Sequence, residues 1–319
     1  MTQRAPYKNA QLNVCVVWLG QSFIPNPSGD ITGKPLFLGR FFPQPVKMLF
    51  NSLGYCFSLE LHMNIKSYDE MIRERRLMLK SEEEEGIEHD EWTPHQIKGI
   101  PPPPLEKPYP KDSVLVELAS PDCADLGKIP LVKTIVQRRS RRKYSSKALK
   151  LEELSFLLYA TQRVTQVDED RVRSKRVVPS GGARHPFETY LIVNRVVNLE
   201  PGVYRYLAIE HKLLVVDRVE LLSDKISRAC FGQSFIGESA VVFVWAAIPY
   251  RTEWRYSNLA YKSILIEAGH ICQNLYLACE AIGAGACAIA AYNQKAMDLL
   301  IGVDGIDEFT VYLAPVGKI

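Results

Sequence analysis

The sequence lacks the features that mark secreted and membrane proteins. Its seven cysteines form no Cys-x-x-Cys pair and their number is odd, so reduced, mostly buried thiols are expected in place of a disulfide framework. No uninterrupted apolar run approaches the length of about 18 residues that a membrane span needs. The first residues, MTQRAPYKN, place no apolar stretch behind their charges and do not resemble a secretory signal. We therefore expect a cytoplasmic protein with no membrane partner.

An excess of charge of one sign is also absent. The 39 basic and 36 acidic side chains leave a net charge of +3, which is too even to predict bulk attraction to nucleic acid. GAGACA is not a Gly-x-Gly-x-x-Gly motif after a strand, so a Rossmann site is not supported. Glu267 and His270 have helical spacing but no third ligand, which favours a core pair and predicts no metal site.

What is present divides into three segments. Residues 1–62 mix glycine, proline and aromatic residues without a sustained period, which predicts an N-terminal extension with little fixed structure. Residues 63–128 carry a polar helix and four consecutive prolines, Pro101 to Pro104, that impose an extended arm. The arm is either a polyproline ligand for a partner or a connection into the first core helix. Residues 129–319 alternate helices and strands and form the main domain.

The main domain is predicted to be α+β. Its segments do not repeat as regular β-α-β units, so we expect a sheet with helices on both sides. The predicted strands are Glu188–Arg195, a hairpin over Gly202–Val216, the apolar run Ala240–Ile248 and Phe309–Val316. The predicted helices are Leu131–Arg139, Leu151–Gln162, Leu222–Phe231, Ser257–Ile282 and Gln294–Ile301. Ser257–Ile282 is apolar almost all round, which is typical of a buried helix.

The segment IVQRRSRRKY (Ile135 to Tyr144) is the most informative in the chain. It places five cations, Arg138, Arg139, Arg141, Arg142 and Lys143, around the hydroxyl of Ser140. Guanidinium groups hold phosphate through paired hydrogen bonds, and a hydroxyl adds a further donor. A solvated basic face and a nucleic-acid patch are the alternatives. No aromatic side chains interleave these arginines as single-strand binders require, so a bound phosphate group is favoured.

Four blocks follow this segment in order. They are PSGGARHPFETYLIV (Pro179 to Val193), GVYRY, EAGHICQNLYLACEAIGAGACAI (Glu267 to Ile289) and a final VGK. The ordered set resembles the nitroreductase superfamily of FMN enzymes and, within it, the SagB-type dehydrogenase branch, over roughly residues 99–318. The resemblance implies a mainly antiparallel central sheet flanked by helices, a long buried central helix, and an FMN-binding domain over residues 129–319. It also implies a homodimer with interfacial flavin, and it favours the arm as a connection into the core.

The resemblance also assigns cofactor contacts. Arg138 and Ser140 should bind the FMN phosphate, with Arg139 a weaker candidate, and Arg142 should lie toward the pyrimidine edge. The turn at Pro179, Ser180, Gly181 and Gly182 should reach the flavin across the dimer interface, Ala290 and Ala291 should line its N5 edge, and Lys318 should add a phosphate contact. The turn departs from the commoner family pattern, because Ala183 replaces an asparagine and His185 a glutamine. Glycine-rich turns at this place are the SagB-type pattern.

The candidate catalytic residues are Arg255 and Tyr256. Azoline-oxidising members of the branch carry a Lys-Tyr pair at this place, and Arg255 replaces the lysine. Arginine has a pKa above about 12 and cannot act as a base at neutral pH, whereas tyrosine can still exchange a proton.

The resemblance predicts an FMN-dependent oxidoreductase that transfers hydride through flavin N5 in a ping-pong mechanism. NAD(P)H is the expected donor, and the substrate is a small molecule or a peptide. The alternatives are an azoline dehydrogenase of peptide heterocycle biosynthesis and a flavin-fold scaffold without turnover.

Overall fold

The protein is described by a computed structural model, which covers residues 15–16, 49–50, 56–58, 68–77, 79–80, 93–119, 126–170, 172–218 and 221–319. The chain forms two compact units, Met1–Arg76 and Leu77–Ile319. Most of the predicted extension over residues 1–62 lies outside the described residues. Its degree of order therefore stays a prediction, as do the segment boundaries after residues 62 and 128.

The described part of the first unit consists of three short strands and most of one helix. The strands are β1 (Cys15–Val16), β2 (Leu49–Phe50) and β3 (Cys56–Ser58), which form an antiparallel sheet with β3 in the middle. The helix α1 (Tyr68–Leu77) has acidic residues in its first turn and basic residues in its last turn. That distribution stabilises a helix through its macrodipole.

The second unit is built on a seven-stranded sheet in which every neighbouring pair is antiparallel. The spatial order of its strands is β11-β12-β10-β7-β8-β9-β4, and β5 pairs with β6 as a separate hairpin. The strands are β4 (Leu115–Glu117), β5 (Val164–Val167), β6 (Ser174–Arg176), β7 (Phe187–Val193), β8 (Gly202–Leu207), β9 (Lys212–Asp217), β10 (Val241–Ala247), β11 (Ala284–Ala286) and β12 (Phe309–Lys318).

Helices cover both faces of this sheet. They are α2 (Leu131–Gln137), α3 (Leu151–Gln162), α4 (Leu222–Ala229), α5 (Ser234–Gly237), α6 (Tyr250–Tyr256), α7 (Ala260–Ala281) and α8 (Gln294–Ile301). Among the described residues, no helix combines the length and the apolar character needed to cross a bilayer.

The central strands have two buried faces because successive side chains enter two different cores. Phe243 and Trp245 of β10 pack with α3 and α7, whereas Val242 and Val244 pack with α4 and α8. Every residue of β7 and β10 is buried, so neither strand alternates between apolar and exposed polar residues, and β10 is a continuous apolar run. The α+β fold with a mainly antiparallel sheet between helices is confirmed.

The long helix α7 has 22 residues and spans about 33 Å. It begins at Ala260, later than the sequence predicts, because Ser257 has φ +50° and opens a separate 3₁₀ turn. It ends one residue before Ile282, and Gly283 follows at φ +64°. Ten of its 22 residues are buried, whereas Tyr261, Leu265 and Ile266 are about half exposed. One apolar side of the helix is therefore uncovered in the single chain.

Candidate functional site

The arginine-rich segment continues from α2 as extended chain along β11. Arg138 leaves the helical region at φ −49° and ψ 126°, which ends α2. Ser140 then forms a parallel bridge with Ala286, and the Arg141 N–H donates to the Ala286 carbonyl at 2.9 Å. The backbone thereby fixes the cations beside the strand that follows α7.

Tyr276 of α7 joins three parts of this region. Its hydroxyl lies 3.0 Å from Ser140 Oγ and accepts the Ala288 N–H at 2.7 Å. Its ring lies 5.2 Å from the guanidinium carbon of Arg138, within the range of a cation–π contact. Sequence reasoning missed Tyr276. One signal could have found it: a tyrosine within a helix that is predicted to be buried. A buried phenol hydroxyl usually has a hydrogen-bond partner, so Tyr276 could have been expected to bond to a neighbouring element.

The cations of the segment have different surroundings. The Arg139 guanidinium donates to the Val136 and Arg138 carbonyls, both at 2.8 Å, so it caps the end of its own helix. Arg141 contacts Glu280 at 3.4 Å. Ser140 and Arg142 are exposed and Arg138 is half-buried. The donors best placed for an anion are therefore Arg138, Ser140 and Arg142.

An open cavity of about 430 Å³ adjoins Ser140 and Arg142. It is lined by Ser140, Arg141, Arg142, Lys143, Tyr144, Ser145 and Ile319. The donor set and the cavity fit a dianionic phosphate group, because guanidinium and hydroxyl groups supply hydrogen bonds and positive charge together.

The turn at Pro179–Gly182 lies against helices of its own chain. Gly182 has φ +59°, and a Cβ there would lie 2.7 Å from both Arg255 Cδ and the Tyr256 hydroxyl oxygen. A Cβ on Gly181 would lie 2.9 Å from Ser263 Oγ. The tight turn expected from the sequence is present, and its glycines allow close approach by these side chains. The structure thus brings Gly182 together with both candidate catalytic residues.

Glu267 holds this turn on α7. Its carboxylate accepts the Gly181 N–H at 2.9 Å and the Ser263 hydroxyl at 3.1 Å. Burial raises the pKa of Glu267 above the ordinary carboxyl value, and these hydrogen bonds oppose the rise. Sequence reasoning paired Glu267 with His270 in the core and missed the bond to Gly181, because nothing in the spacing pointed to a turn 86 residues away.

His185 closes the turn. It has φ +47°, and its N–H donates to Ser180 Oγ at 2.9 Å. Burial, followed by the charge of Arg176, lowers the pKa of His185 to about 2. The imidazole is therefore neutral at physiological pH and is a poor proton acceptor there.

The remaining predicted cofactor contacts are Lys318, Ala290 and Ala291. The Lys318 ammonium donates to Glu153 Oε1 at 2.8 Å and to the Ile282 carbonyl at 2.7 Å, which links β12 to α3 and the end of α7. Ala290 and Ala291 are exposed and follow closely after Ala288, whose N–H is bonded to Tyr276. Small side chains there leave the backbone accessible.

The site residues therefore form two groups, and both are attached to α7. We call Arg138, Ser140, Arg142 and Tyr276 the phosphate half, and Gly181, Gly182, Arg255, Tyr256 and Glu267 the loop half. Glu267 and Tyr276 are nine residues apart, which corresponds to two and a half turns and about 13.5 Å along the axis. The two halves thus lie on opposite sides of one helix.

Comparisons with known proteins agree with this architecture. A protein of Methanocaldococcus jannaschii assigned to the nitroreductases is 35% identical over 196 residues, 61% of this chain and 93% of that relative. A solved structure from Ralstonia eutropha, assigned likewise, has 24% identity and a TM-score of 0.53, covering 68% of this chain and 98% of that one.

The trifolitoxin-processing protein of Rhizobium leguminosarum bv. trifolii is 31% identical over 116 residues. The match covers 34% of this chain but only 30% of that relative. This similarity agrees with the SagB-type resemblance. Residues 135–318, more than half of the chain, match the nitroreductase family as a whole, and the chain belongs to that family.

Proposed function

We propose that this protein is an FMN-dependent oxidoreductase of the SagB-type branch. The observation that carries the proposal is the phosphate half, where Ser140 and Arg142 line an open cavity and the Arg138 guanidinium lies against the ring of Tyr276, whose hydroxyl contacts Ser140. When bound, FMN supplies two-electron redox chemistry at N5, and the protein supplies binding, orientation and electrostatics. Arg138 and Ser140 would hold the phosphate, and Arg142 would place positive charge near the pyrimidine edge. Substrates would react in turn, in a ping-pong cycle with NAD(P)H as donor.

We propose that Tyr256 handles the substrate proton and that Arg255 supplies a fixed positive charge. Both side chains are half-buried and lie directly over Gly182, so their positions depend on the turn. The Arg255 guanidinium carbon lies 5.6 Å from the Tyr256 ring centroid, which holds the two side chains together. A permanent cation beside the phenol favours anionic or strongly polar acceptors.

We propose that the active form is a homodimer. The phosphate half and the loop half lie on opposite sides of α7, so one chain cannot easily bring both halves to one flavin. A second copy could pair the phosphate half of one chain with the loop half of the other. The uncovered apolar residues that such a partner would bury are Leu131, Val132, Ile135, Val136, Tyr261, Leu265 and Ile266. Sedimentation of the flavin-loaded protein should give a dimer at micromolar concentration, and a flavin-loaded monomer would refute this assignment.

Azoline oxidation within a peptide-modifying complex is the second candidate function. The similarity to the trifolitoxin-processing protein favours it. Arg255 argues against it, because arginine replaces the lysine of the Lys-Tyr pair and cannot accept a proton. A neighbouring gene for a small precursor peptide and one for a cyclodehydratase would favour this alternative.

The cytoplasm is the compartment we propose. Cys230, Cys272, Cys279 and Cys287 are buried free thiols, which suits a reducing environment.

The deciding experiment is the absorbance spectrum of the purified protein, followed by anaerobic titration with NADH and then NADPH. A flavin spectrum that bleaches on titration is the expected result, and it also identifies the donor. A protein that binds FMN but is reduced by neither nicotinamide nor substrate would support the scaffold alternative. A protein that does not bind FMN would refute the proposal.

A further inference from the structure

We propose that the proline-rich arm positions the catalytic end of α6. We call residues 93–119 the strap; they are described without a gap and lie in the same compact unit as α6. Arg255 and Tyr256 are the last two residues of α6. The catalytic part of this inference rests on the proposed function, whereas the mechanical part does not.

The strap hydrogen-bonds to the first turn of α6 and again to a residue near the end of α6. The Trp254 indole N–H donates to the Ile100 carbonyl at 2.8 Å, and the Gln96 N–H donates to the Trp254 carbonyl at 2.9 Å. His95 Nδ1 lies 2.9 Å from the Tyr250 hydroxyl. The first two bonds engage both the side chain and the backbone of Trp254, which is the residue directly before the candidate pair.

Arg251 links α6, the strap and the sheet. Its Nε donates to the Pro104 carbonyl at 3.1 Å, and its NH2 group contacts Glu188 of β7 at 2.5 Å. Glu188 also accepts the Lys107 N–H of the strap at 2.8 Å. Arg251 and Glu188 are both almost completely buried, so each charge depends on the other and on the strap for its hydrogen bonds.

The strap is itself attached to the sheet beyond this point. The Arg205 guanidinium of β8 donates to the Lys107 carbonyl at 2.8 Å, and Tyr109 donates to Glu210 at 2.5 Å. Between these contacts and α6 lie Pro101 to Pro104, whose backbone is stiff. The strap is therefore a short brace with one end on the sheet and the other on α6.

The turn of the loop half holds α6 from another direction. Arg184 Nε donates to the Arg251 carbonyl at 2.8 Å, and its guanidinium carbon lies 4.7 Å from the Trp254 ring centroid. A helix of seven residues is too short to be stable by itself. The place of Arg255 and Tyr256 over Gly182 thus depends on contacts made at Arg251 and Trp254.

Single hydrogen-bond deletions at the two ends of the strap test the proposal. Trp254→Phe removes the bond to Ile100 and keeps a ring beneath Arg184, but it also removes part of a buried side chain, so Tyr250→Phe, which removes only a hydroxyl, has to change exchange in the same direction. Tyr250→Phe removes the bond to His95. Tyr109→Phe is the matched control, because it removes one strap hydrogen bond at the sheet end and leaves α6 untouched.

Hydrogen exchange of the α6 amides is measured in the parent and in all three variants, together with both flavin half-reactions. We expect about three- to tenfold faster exchange over residues 250–257 in Trp254→Phe, the scale of one lost hydrogen bond. Tyr250→Phe should change exchange in the same direction, and Tyr109→Phe should leave it at the parental rate. In the two α6 variants, flavin reoxidation should slow by a similar factor while reduction by nicotinamide stays unchanged.

Two results would overturn the proposal. Unchanged α6 exchange in Trp254→Phe would show that the strap does not hold the helix. Faster exchange with unchanged reoxidation would show that holding the helix does not position the reaction. The exchange measurement needs no turnover, so it separates failure of the strap from failure of the proposed oxidoreductase function.

Discussion

The phosphate half and the loop half of the site are built on opposite principles. The phosphate half presents hydrogen-bond donors on an extended segment. Tyr276 of α7 contacts two of them, Arg138 and Ser140. The loop half is made of backbone turns, a buried carboxylate and side chains held by their neighbours. The phosphate half depends on the chemistry of its side chains, whereas the loop half depends on how neighbouring residues position its side chains. Changes in the first should affect cofactor affinity, and changes in the second should affect rate.

The largest expected effect is that of Tyr256→Phe, which removes only a hydroxyl from the loop half. Flavin reoxidation by the preferred acceptor should slow by about 10²–10⁴-fold if that hydroxyl is the general acid. Reduction by nicotinamide should stay nearly unchanged, because the phosphate half is intact. Stopped-flow measurement of both half-reactions checks this, and an unchanged reoxidation rate would remove Tyr256 from the mechanism.

Arg138→Ala should affect affinity without altering the loop half. Losing a charged hydrogen bond to phosphate should weaken FMN binding by roughly 1.5–3 kcal/mol, which is about 10- to 150-fold in Kd. Fluorescence titration of the flavin-free protein measures this change. Arg173→Ala is a suitable control, because Arg173 is exposed, lies between β5 and β6 and pairs with Asp168. Equal dissociation constants for Arg138→Ala and the control would reject Arg138 as a phosphate ligand.

Gly182→Ala tests whether Gly182 is needed only for the backbone conformation of the turn or also for the close approach of Arg255 and Tyr256. A residue with a Cβ at φ +59° costs about 1–2 kcal/mol in backbone strain, and here the new atom would also displace Arg255 and Tyr256. Gly232→Ala provides the comparison, because Gly232 has φ +79° with open space around it. Both variants should lose unfolding free energy through backbone strain, and Gly182→Ala should lose more because of its close contacts, but only Gly182→Ala should slow reoxidation. Equal reoxidation rates would mean that the contacts above Gly182 have no catalytic role.

Glu267→Gln should give the smallest effect, visible as a change in pH dependence. Because the pKa of Glu267 is raised, the folded state binds its proton more tightly than the unfolded chain does. The resulting contribution to the free energy of unfolding is complete below about pH 4.3 and is lost as the pH rises through the raised pKa of Glu267. Glutamine keeps an oxygen for the Gly181 N–H but does not titrate.

Urea denaturation between pH 4 and pH 7 measures this difference. The stability of the parent relative to Glu267→Gln should fall by less than about 1.4 kcal/mol per pH unit over that window. Glu152→Gln, the same substitution at an exposed position of α3, is the control. A parent-to-variant difference that is constant with pH would indicate that Glu267 does not titrate abnormally.

Much of the fold was accessible from the sequence because its local signals agree with its packing. The predicted bounds of α3 and α8 match the structure. At α8, the Asn293 side chain accepts the Ala296 N–H, and Gly302 at φ +74° ends the helix. The start of α7 was predicted three residues too early, because the periodicity of an apolar segment does not reveal a residue at positive φ such as Ser257.

The site was only partly accessible for a related reason. The run of arginines around Ser140 favours a phosphate ligand through its chemistry, and the family resemblance singles out Arg138 and Ser140, an assignment that stays a prediction. Tyr276 and Glu267 act through hydrogen bonds to residues 136 and 86 positions away, and the strap acts through backbone carbonyls. Carbonyl groups are common to all residues, so no side-chain pattern could have indicated that Ile100 and Pro104 support α6.

The two buried thiols of α7, Cys272 and Cys279, can be used to measure local unfolding of this helix. Burial raises the pKa of Cys272 to about 12 and that of Cys279 well above its ordinary value, so thiolate is scarce at neutral pH and alkylating reagents have no access. Labelling of these two sulfurs then requires the helix to detach from the sheet, and its rate measures how often that happens. Mass-spectrometric alkylation kinetics with and without FMN would therefore report how far cofactor binding at the helix surface rigidifies the interior beneath it.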